Sequence, residues 1–132
     1  MQHQIIMIDD NPLDHLIVSR ICDSEGAFGS MAHLQTSQEL VDFLAVNEHD
    51  TAQLPDIILL DLNMPNLSGW DVLEKLKYNY QDKGKPLDVY ILSSSVSPVD
   101  QKRSQQYNFV KDFIIKPMTR QKIRDLYHLY HH

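Results

Sequence analysis

Four short runs of the chain, 5–8, 57–60, 89–92 and 113–115, are rich in Ile and Val and apolar on successive residues, where a half-buried strand would alternate. They suit strands covered on both faces, and a weaker one lies near 31–35. Helix signals stand between them. Asn11 can cap a helix with Pro12 at its first position and Leu13, Leu16, Ile17 and Ile21 on one face. Ser37 can cap a second carrying Leu40, Val41 and Leu44, and Ser68-Gly69 can open a third carrying Trp70, Leu73 and Leu76. Ser97-Pro98 opens a fourth over 99–107, and Thr119 a fifth with Ile123, Leu126, Tyr127 and Tyr130 at helical spacing. A strand-helix unit repeated in this way predicts an α/β fold, a parallel five-stranded sheet with helices on both faces.

Charge stands at the ends of these runs: Asp9-Asp10 after IIMI, Asp61 after DIILL and Lys116 after DFII. Charge beside a buried strand is costly, and in a parallel sheet all these ends fall on one edge, where such folds bind ligands. The fourth helix differs from the others. Only Val99 and Tyr107 are large and apolar in VDQKRSQQY, so it is expected to pack lightly and move readily. Polar stretches with breakers at 47–55 and 79–86 are the expected mobile loops.

Composition narrows the function classes. With 132 residues and 42% hydrophobic content the chain is one domain's worth, 1–132, with a single core. A net charge of -6 and no basic cluster argue against a nucleic-acid surface. Cys22 is the one cysteine, which rules out an intramolecular disulfide and suits a reducing cytosol; in LIVSRIC it reads as a buried structural thiol. Met1 runs almost directly into IIMIDD without a signal peptide or an apolar run long enough for a membrane span, so a cytoplasmic location is expected.

The segments IDDN (8–11), LLDLNMPNLSGW (59–70), ILSSS (91–95) and FIIKP (113–117) occur in order, each at a strand end. In these segments the chain resembles the receiver domain of two-component response regulators over essentially its whole length. The resemblance implies a flavodoxin-like (βα)5 three-layer sandwich with strand order 2-1-3-4-5. It also implies Asp61 as phosphoacceptor, Asp9 and Asp10 as the acidic pair, Ser93 as the switch hydroxyl, Lys116 as the conserved lysine and Phe113 as the switch aromatic. A sensor histidine kinase or phosphotransfer protein would donate the phosphoryl group, and a protein partner would read the result. Ser93 stands where threonine is more frequent, keeping the hydroxyl and losing a methyl. Asn63 and Ser95 occupy flanking positions that can admit or exclude the hydrolytic water.

The chemistry of the residues agrees with these roles. A carboxylate that attacks a phosphoryl group faces a transition state with negative charge on three equatorial oxygens. Asp9, Asp10 and Asp61 at one edge would repel one another unless a divalent cation sat among them, and Mg2+ (or Mn2+) suits oxygen ligands and a phosphate. The expected ligands are Asp10, Asp61 and the backbone carbonyl of Asn63, with Asp9 acting through water. Lys116 would meet one phosphoryl oxygen and the Ser93 hydroxyl another.

Each residue has a plainer role alone: a strand-end cap for Asp9-Asp10 before the helix that Asn11-Pro12 starts, a loop cap for Asp61, a turn for Ser93, a solvated charge for Lys116, core for Phe113, helix packing for Trp70. His128, His131 and His132 are spaced to hold a metal, but at a chain end they read as solvated. A phosphatase or phosphotransferase of the haloacid-dehalogenase type would need an acid/base Asp two residues past its nucleophile, where Asn63 stands, and a cap domain. A pseudo-receiver finds no support in an intact set of site residues, and a flavin module would need a phosphate-cradling loop where DDNP presents acid. The expectation is a signalling switch that catalyses only its own phosphorylation and dephosphorylation. No output domain is expected in this chain, which closes with the fifth helix. Its signal would leave through the fourth helix, fifth strand and fifth helix, with Lys102, Arg103, Gln106, Tyr107 and Lys122 meeting an acidic partner or a second copy.

Overall fold

A computed structural model describes residues 4–50, 52–64, 68–79, 86–95 and 97–131. Its elements alternate along the chain: β1 (Ile5–Ile8), α1 (Pro12–Glu25), β2 (Ala32–Leu34), α2 (Ser37–Val46), β3 (Ile57–Asp61), α3 (Gly69–Asn79), β4 (Asp88–Ser93), α4 (Pro98–Ser104), β5 (Val110–Ile115) and α5 (Arg120–Tyr130). The strands are all parallel and lie in the order β2-β1-β3-β4-β5, the flavodoxin-like arrangement. The three central strands are buried almost throughout, as their unbroken apolar runs require.

Side chains of each strand alternate between two cores. Ile6, Ile8, Ile58, Leu60, Val89 and Ile91 face Leu40 of α2 and Val72, Leu73 and Leu76 of α3. Ile5, Met7, Ile57, Leu59, Tyr90 and Leu92 face Val18 and Cys22 of α1 and Ile123 and Leu126 of α5. Cys22 is buried there, and burial followed by the neighbouring charge of Asp23 pushes its thiol up to about 11, which makes it a poor nucleophile. The end of α5 is tied to β4 by polar contacts, Tyr130 donating its hydroxyl to Asp88 (2.5 Å) and meeting the Tyr90 hydroxyl at 2.7 Å.

Several expectations are corrected here. The buried face of α1 is His15, Val18 and Cys22, whereas Leu13 and Leu16 are exposed. The apolar count pointed to one stripe, but His15 is held inside by hydrogen bonds and rotates the buried face away from the leucines. The cap of α2 is Thr36, which accepts from the Glu39 N–H, and Ser37 is the buried first residue. β5 begins at Val110, earlier than the run at 113–115, because Lys111 and Asp112 lie on an exposed edge and hide it. A bulge there shifts the register: Val89 pairs with Val110, and Tyr90 with Asp112. One inserted residue reverses the alternation, so Phe113 joins Ile91 on one face and Ile114 joins Leu92 on the other.

The helix expected over 99–107 ends at Ser104. Val99 is exposed, and Ser104 is the only buried residue within α4; the anchoring comes from Tyr107 and Phe109 in the turn that follows. The stretch 47–55 is pinned at its far end by buried Leu54 and Pro55. The other expected mobile stretch, 79–86, falls largely outside the described residues. His131 is half-buried, its ring stacked on Tyr127 at 4.1 Å. His128 is exposed and His132 lies outside the described residues.

The start of α3 crosses close over the end of β3. The Gly69 N–H donates to the Leu62 carbonyl at 3.0 Å, and a Cβ on Gly69 would meet the Asp61 carbonyl oxygen and Leu62 Cα at 2.6 Å each. Both are backbone atoms and cannot turn aside. Gly69→Ala is therefore expected to cost about 2 kcal/mol or more through displacement of α3 or of the Asp61 segment. Urea denaturation checks this, with a lowered midpoint at unchanged slope as the expected result.

Candidate functional site

The strand order reverses between β1 and β3, with β2 on one side of β1 and β3 on the other. This opens a crevice beyond their carboxyl ends, where doubly wound folds place ligands. β1 ends into Asp9 and Asp10, β3 ends on Asp61, β4 ends on Ser93, and Lys116 follows β5. A cavity of about 430 Å³ at this edge is lined by Asp10, Asn11, Asp14, Asp61, Asn63, Ser94, Lys116 and Pro117.

Backbone contacts hold the side chains in place. Asp9 and Asp61 are buried and Asp10 is exposed, yet each offers an oxygen within 4.8 Å of the others. Asp9 Oδ1 accepts from the Asn11 N–H (2.9 Å) and Asp61 Oδ1 from the Asn63 N–H (3.1 Å), so one oxygen of each carboxylate is fixed by its own following turn. Asp9 Oδ2 is buried without an aligned hydrogen bond and meets Lys116 Nζ as an ion pair at 2.7 Å. Lys116 Nζ also donates to Asp14 Oδ2 (2.8 Å) and lies 3.7 Å from Asp61 Oδ2. Its N–H donates to the Ser93 carbonyl at 2.8 Å, which ties β5 to β4 beside the site. Ser93 is fully buried and its Oγ accepts from the Ser95 N–H at 3.1 Å.

The electrostatics follow from this crowding. Burial raises Asp61 to about 6; the Asn63 N–H opposes that, the charge of Asp9 adds to it, Lys116 opposes it and Asp10 adds a little more. Burial alone would lower Lys116, but the hydrogen bond to Asp14, the contact with Asp9 and the charges of Asp61 and Asp9 together raise it. Lys116 is therefore a fixed cation. One ammonium faces the carboxylates of Asp9, Asp14 and Asp61, and Asp9 and Asp61 share with Asp10 a cluster of oxygens with one partly unsatisfied atom. That donor set fits a hard divalent cation. Among the described residues it is the only group of three or more ligating side chains so placed, and none includes a histidine.

Two site residues escaped the sequence reading. Asp14, in the first turn of α1, reaches Lys116; the available signal was an acid in the opening turn of a helix whose N-terminus faces the site. His15 places Nε2 2.7 Å from the Asp9 carbonyl, with Nδ1 2.7 Å from His33 Nδ1, so the backbone entering the acidic pair is braced from α1 and β2. No spacing rule marked it. Phe113 sits within β5, partly buried against the α2–α3 face, rather than at the strand's end.

Of the residues proposed for a partner surface, Lys102, Arg103 and Gln106 are exposed and Lys122 is half-exposed. Lys122 pairs with Asp112 (3.2 Å), and the Arg103 guanidinium lies over the Trp70 ring at 4.1 Å. Tyr107 is a correction: it is buried and donates its hydroxyl to Glu74 of α3 at 2.7 Å, so it anchors the turn after α4 and is not available to a partner.

Comparison with known proteins agrees with this geometry. The family model described as the response regulator receiver domain matches residues 5–128. The chain is 28% identical over 115 residues to the probable methanogenesis regulatory protein FilR2 of Methanothrix harundinacea, covering 87% of this chain and 72% of that protein. It is 28% identical over 126 residues to the two-component response regulator ORR1 of Oryza sativa subsp. japonica, covering 93% of this chain and 53% of that one, so it spans about half that relative's length. A crystal structure of a two component response regulator from Cytophaga hutchinsonii superposes with a TM-score of 0.85 at 24% identity, over 96% of this chain and 94% of that one, a likeness of fold. No helix among the described residues is long and apolar enough to cross a membrane.

The raised Asp61 makes stability depend on pH. Its folded-state value lies above the ordinary 3.8, so its contribution is full below that value and is lost as pH rises through about 6. In EDTA the protein should melt lower at pH 7.5 than at pH 5, and Asp61→Asn should flatten that dependence and stabilise the fold at neutral pH by about 1 to 2 kcal/mol. Thermal melts of both proteins across this range are the measurement.

Proposed function

The chain belongs to the response regulator receiver domain family, and from that premise we propose that Asp61 accepts the phosphoryl group that switches it. The observation that carries the proposal is a buried carboxylate at the end of β3, held by one backbone N–H, with an acidic pair on one side and an ammonium on the other. An Asp61 oxygen attacks the phosphorus of a phosphohistidine, the P–N bond breaks as the O–P bond forms, and the imidazole leaves and takes a proton. Water later attacks the acyl phosphate, releasing phosphate and restoring the carboxylate. In this reading the chain turns over no other substrate.

Receiver domains bind Mg2+ or Mn2+ at this acidic pocket and work with histidine kinases or phosphotransfer proteins. Here Asp10, Asp61 and the backbone carbonyl of Asn63 would hold the ion, with Asp9 in its outer sphere, and the ion would offset negative charge on the phosphoryl oxygens. Lys116 brings the protein's own positive charge to the same oxygens. Ser93, buried at the end of β4, has an oxygen that accepts from the Ser95 N–H and a hydroxyl proton that can be donated to a phosphoryl oxygen. That donation would draw the β4–α4 loop inward and let Phe113 move against the α2–α3 face. The response would reach α4, whose own helix buries little. Lys102, Arg103 and Gln106 with Lys122 then form the surface offered to an acidic protein partner or a second copy.

Incubation with acetyl phosphate and Mg2+ should give a single phosphate adduct by intact mass, mapping to Asp61. Asp61→Asn should abolish it, and undiminished labelling of that protein would sink the assignment. Ser93→Ala should still take up phosphate while losing most of the chemical-shift response at α4; equal responses in mutant and parent would separate Ser93 from the switch.

A further inference from the structure

We propose that Asp14 is a positioning residue that regulates how much of the Lys116 charge reaches the phosphoryl group; this rests on Asp61 being the acceptor. Lys116 Nζ meets Asp9 at 2.7 Å and Asp14 at 2.8 Å but is 3.7 Å from Asp61. An ammonium has three N–H donors, and a contact of 3.7 Å is too long for a hydrogen bond. In the resting protein the one cation of the site is thus engaged by two carboxylates other than the acceptor. Asp9 is shared with the oxygen cluster suited to a metal, whereas Asp14 is not among those oxygens. Asp9 would be shared with a divalent cation held at that cluster, whereas Asp14 would remain the rival of the phosphoryl group for Lys116.

Asp14 is held firmly enough for this. The first turn of α1 is fixed by Asn11, whose side chain accepts from the Leu13 N–H at 2.9 Å, and by Pro12 at the opening position. The far end of α1 is clamped to α5 through Glu25, which pairs with Arg124 (2.9 Å) and Arg120 (3.3 Å). The Asp14 side chain is mostly buried and lines the same cavity as Asp61. Its carboxylate therefore withholds positive charge from the acceptor, and neutralising it releases that charge.

The test is the affinity for beryllofluoride, a phosphoryl mimic, by calorimetry at saturating Mg2+. Asp14→Asn keeps an oxygen and loses the charge; it should bind beryllofluoride about threefold to tenfold more tightly than the parent. Asp14→Glu should restore the parent value. In a Lys116→Ala background Asp14→Asn should bring no gain, whereas simple charge repulsion would act there as well. A crystal structure of the Asp14→Asn protein is the second readout, with Lys116 Nζ expected to close on Asp61 to hydrogen-bonding distance. Unchanged or weaker binding by Asp14→Asn, an equal gain without Lys116, or an unmoved Lys116 overturns the proposal. If the parent itself fails to bind beryllofluoride with Mg2+, the reading of Asp61 fails first; if the parent binds and the variant matches it, only the role of Asp14 falls.

Discussion

Lys116 is the contact on which the carboxyl edge of the sheet depends. Its ammonium joins Asp9 after β1 and Asp14 of α1, and approaches Asp61 of β3, while its own backbone is bonded to Ser93 of β4. Buried carboxylates this close could not all remain ionised without a fixed positive charge, and removal of one partner from such a network leaves the others uncompensated. The lysine stands just beyond a strand whose pairing with β4 is interrupted by a bulge. That bulge turns Phe113 and Ile114 to their two faces, and the chain then delivers Lys116 to the crevice.

The compensation is incomplete, and chemistry follows from the deficit. Three carboxylates meet one ammonium and a fourth, Asp10, adds its charge to Asp9 and Asp61; Asp61 is raised to about 6, and Asp9 Oδ2 is buried without an aligned hydrogen bond. A site in this condition gains from a divalent cation, and the gain is linked to folding because the unfolded chain does not bring these residues together. The fold supplies the counterforce. β1, β3 and β4 are buried almost throughout, so their apolar packing on two faces can hold like charges at their ends.

Most of the architecture was legible because buried parallel strands are written as unbroken apolar runs, and because caps and prolines mark helix starts. Asn11-Pro12, Ser97-Pro98 and Thr119 all stand where the helices begin. Several of the misreadings come from polar residues whose setting is decided by tertiary structure. Lys111 and Asp112 concealed the start of β5, since an edge strand need not be apolar. His15 is buried because its ring nitrogens pair with the Asp9 carbonyl and with His33, and Tyr107 because Glu74 accepts its hydroxyl. Asp14 looked like an ordinary acid near a helix N-terminus, favourable there on electrostatic grounds alone. Pairings at such sequence separations leave no periodicity to detect.

The distribution of packing also suggests where a change at the site can travel. Around Asp61 most neighbours are rigid: β1 and β3 lie in the buried middle of the sheet, and Gly69 lets α3 press directly on the Asp61 backbone. The exception lies beyond Ser93, where α4 buries one serine and is held by Tyr107 and Phe109 in the turn after it and by its own Arg103 lying on Trp70 of α3. A stack of guanidinium on indole at the surface is worth about 0.5–1 kcal/mol, far less than the burial that fixes the central strands. Any free energy released at the carboxylates therefore meets least resistance at α4, and the contacts with α3 that must loosen are side-chain contacts rather than backbone ones. The response of such a switch is governed by how weakly α4 is held as much as by how strongly the phosphoryl group pulls.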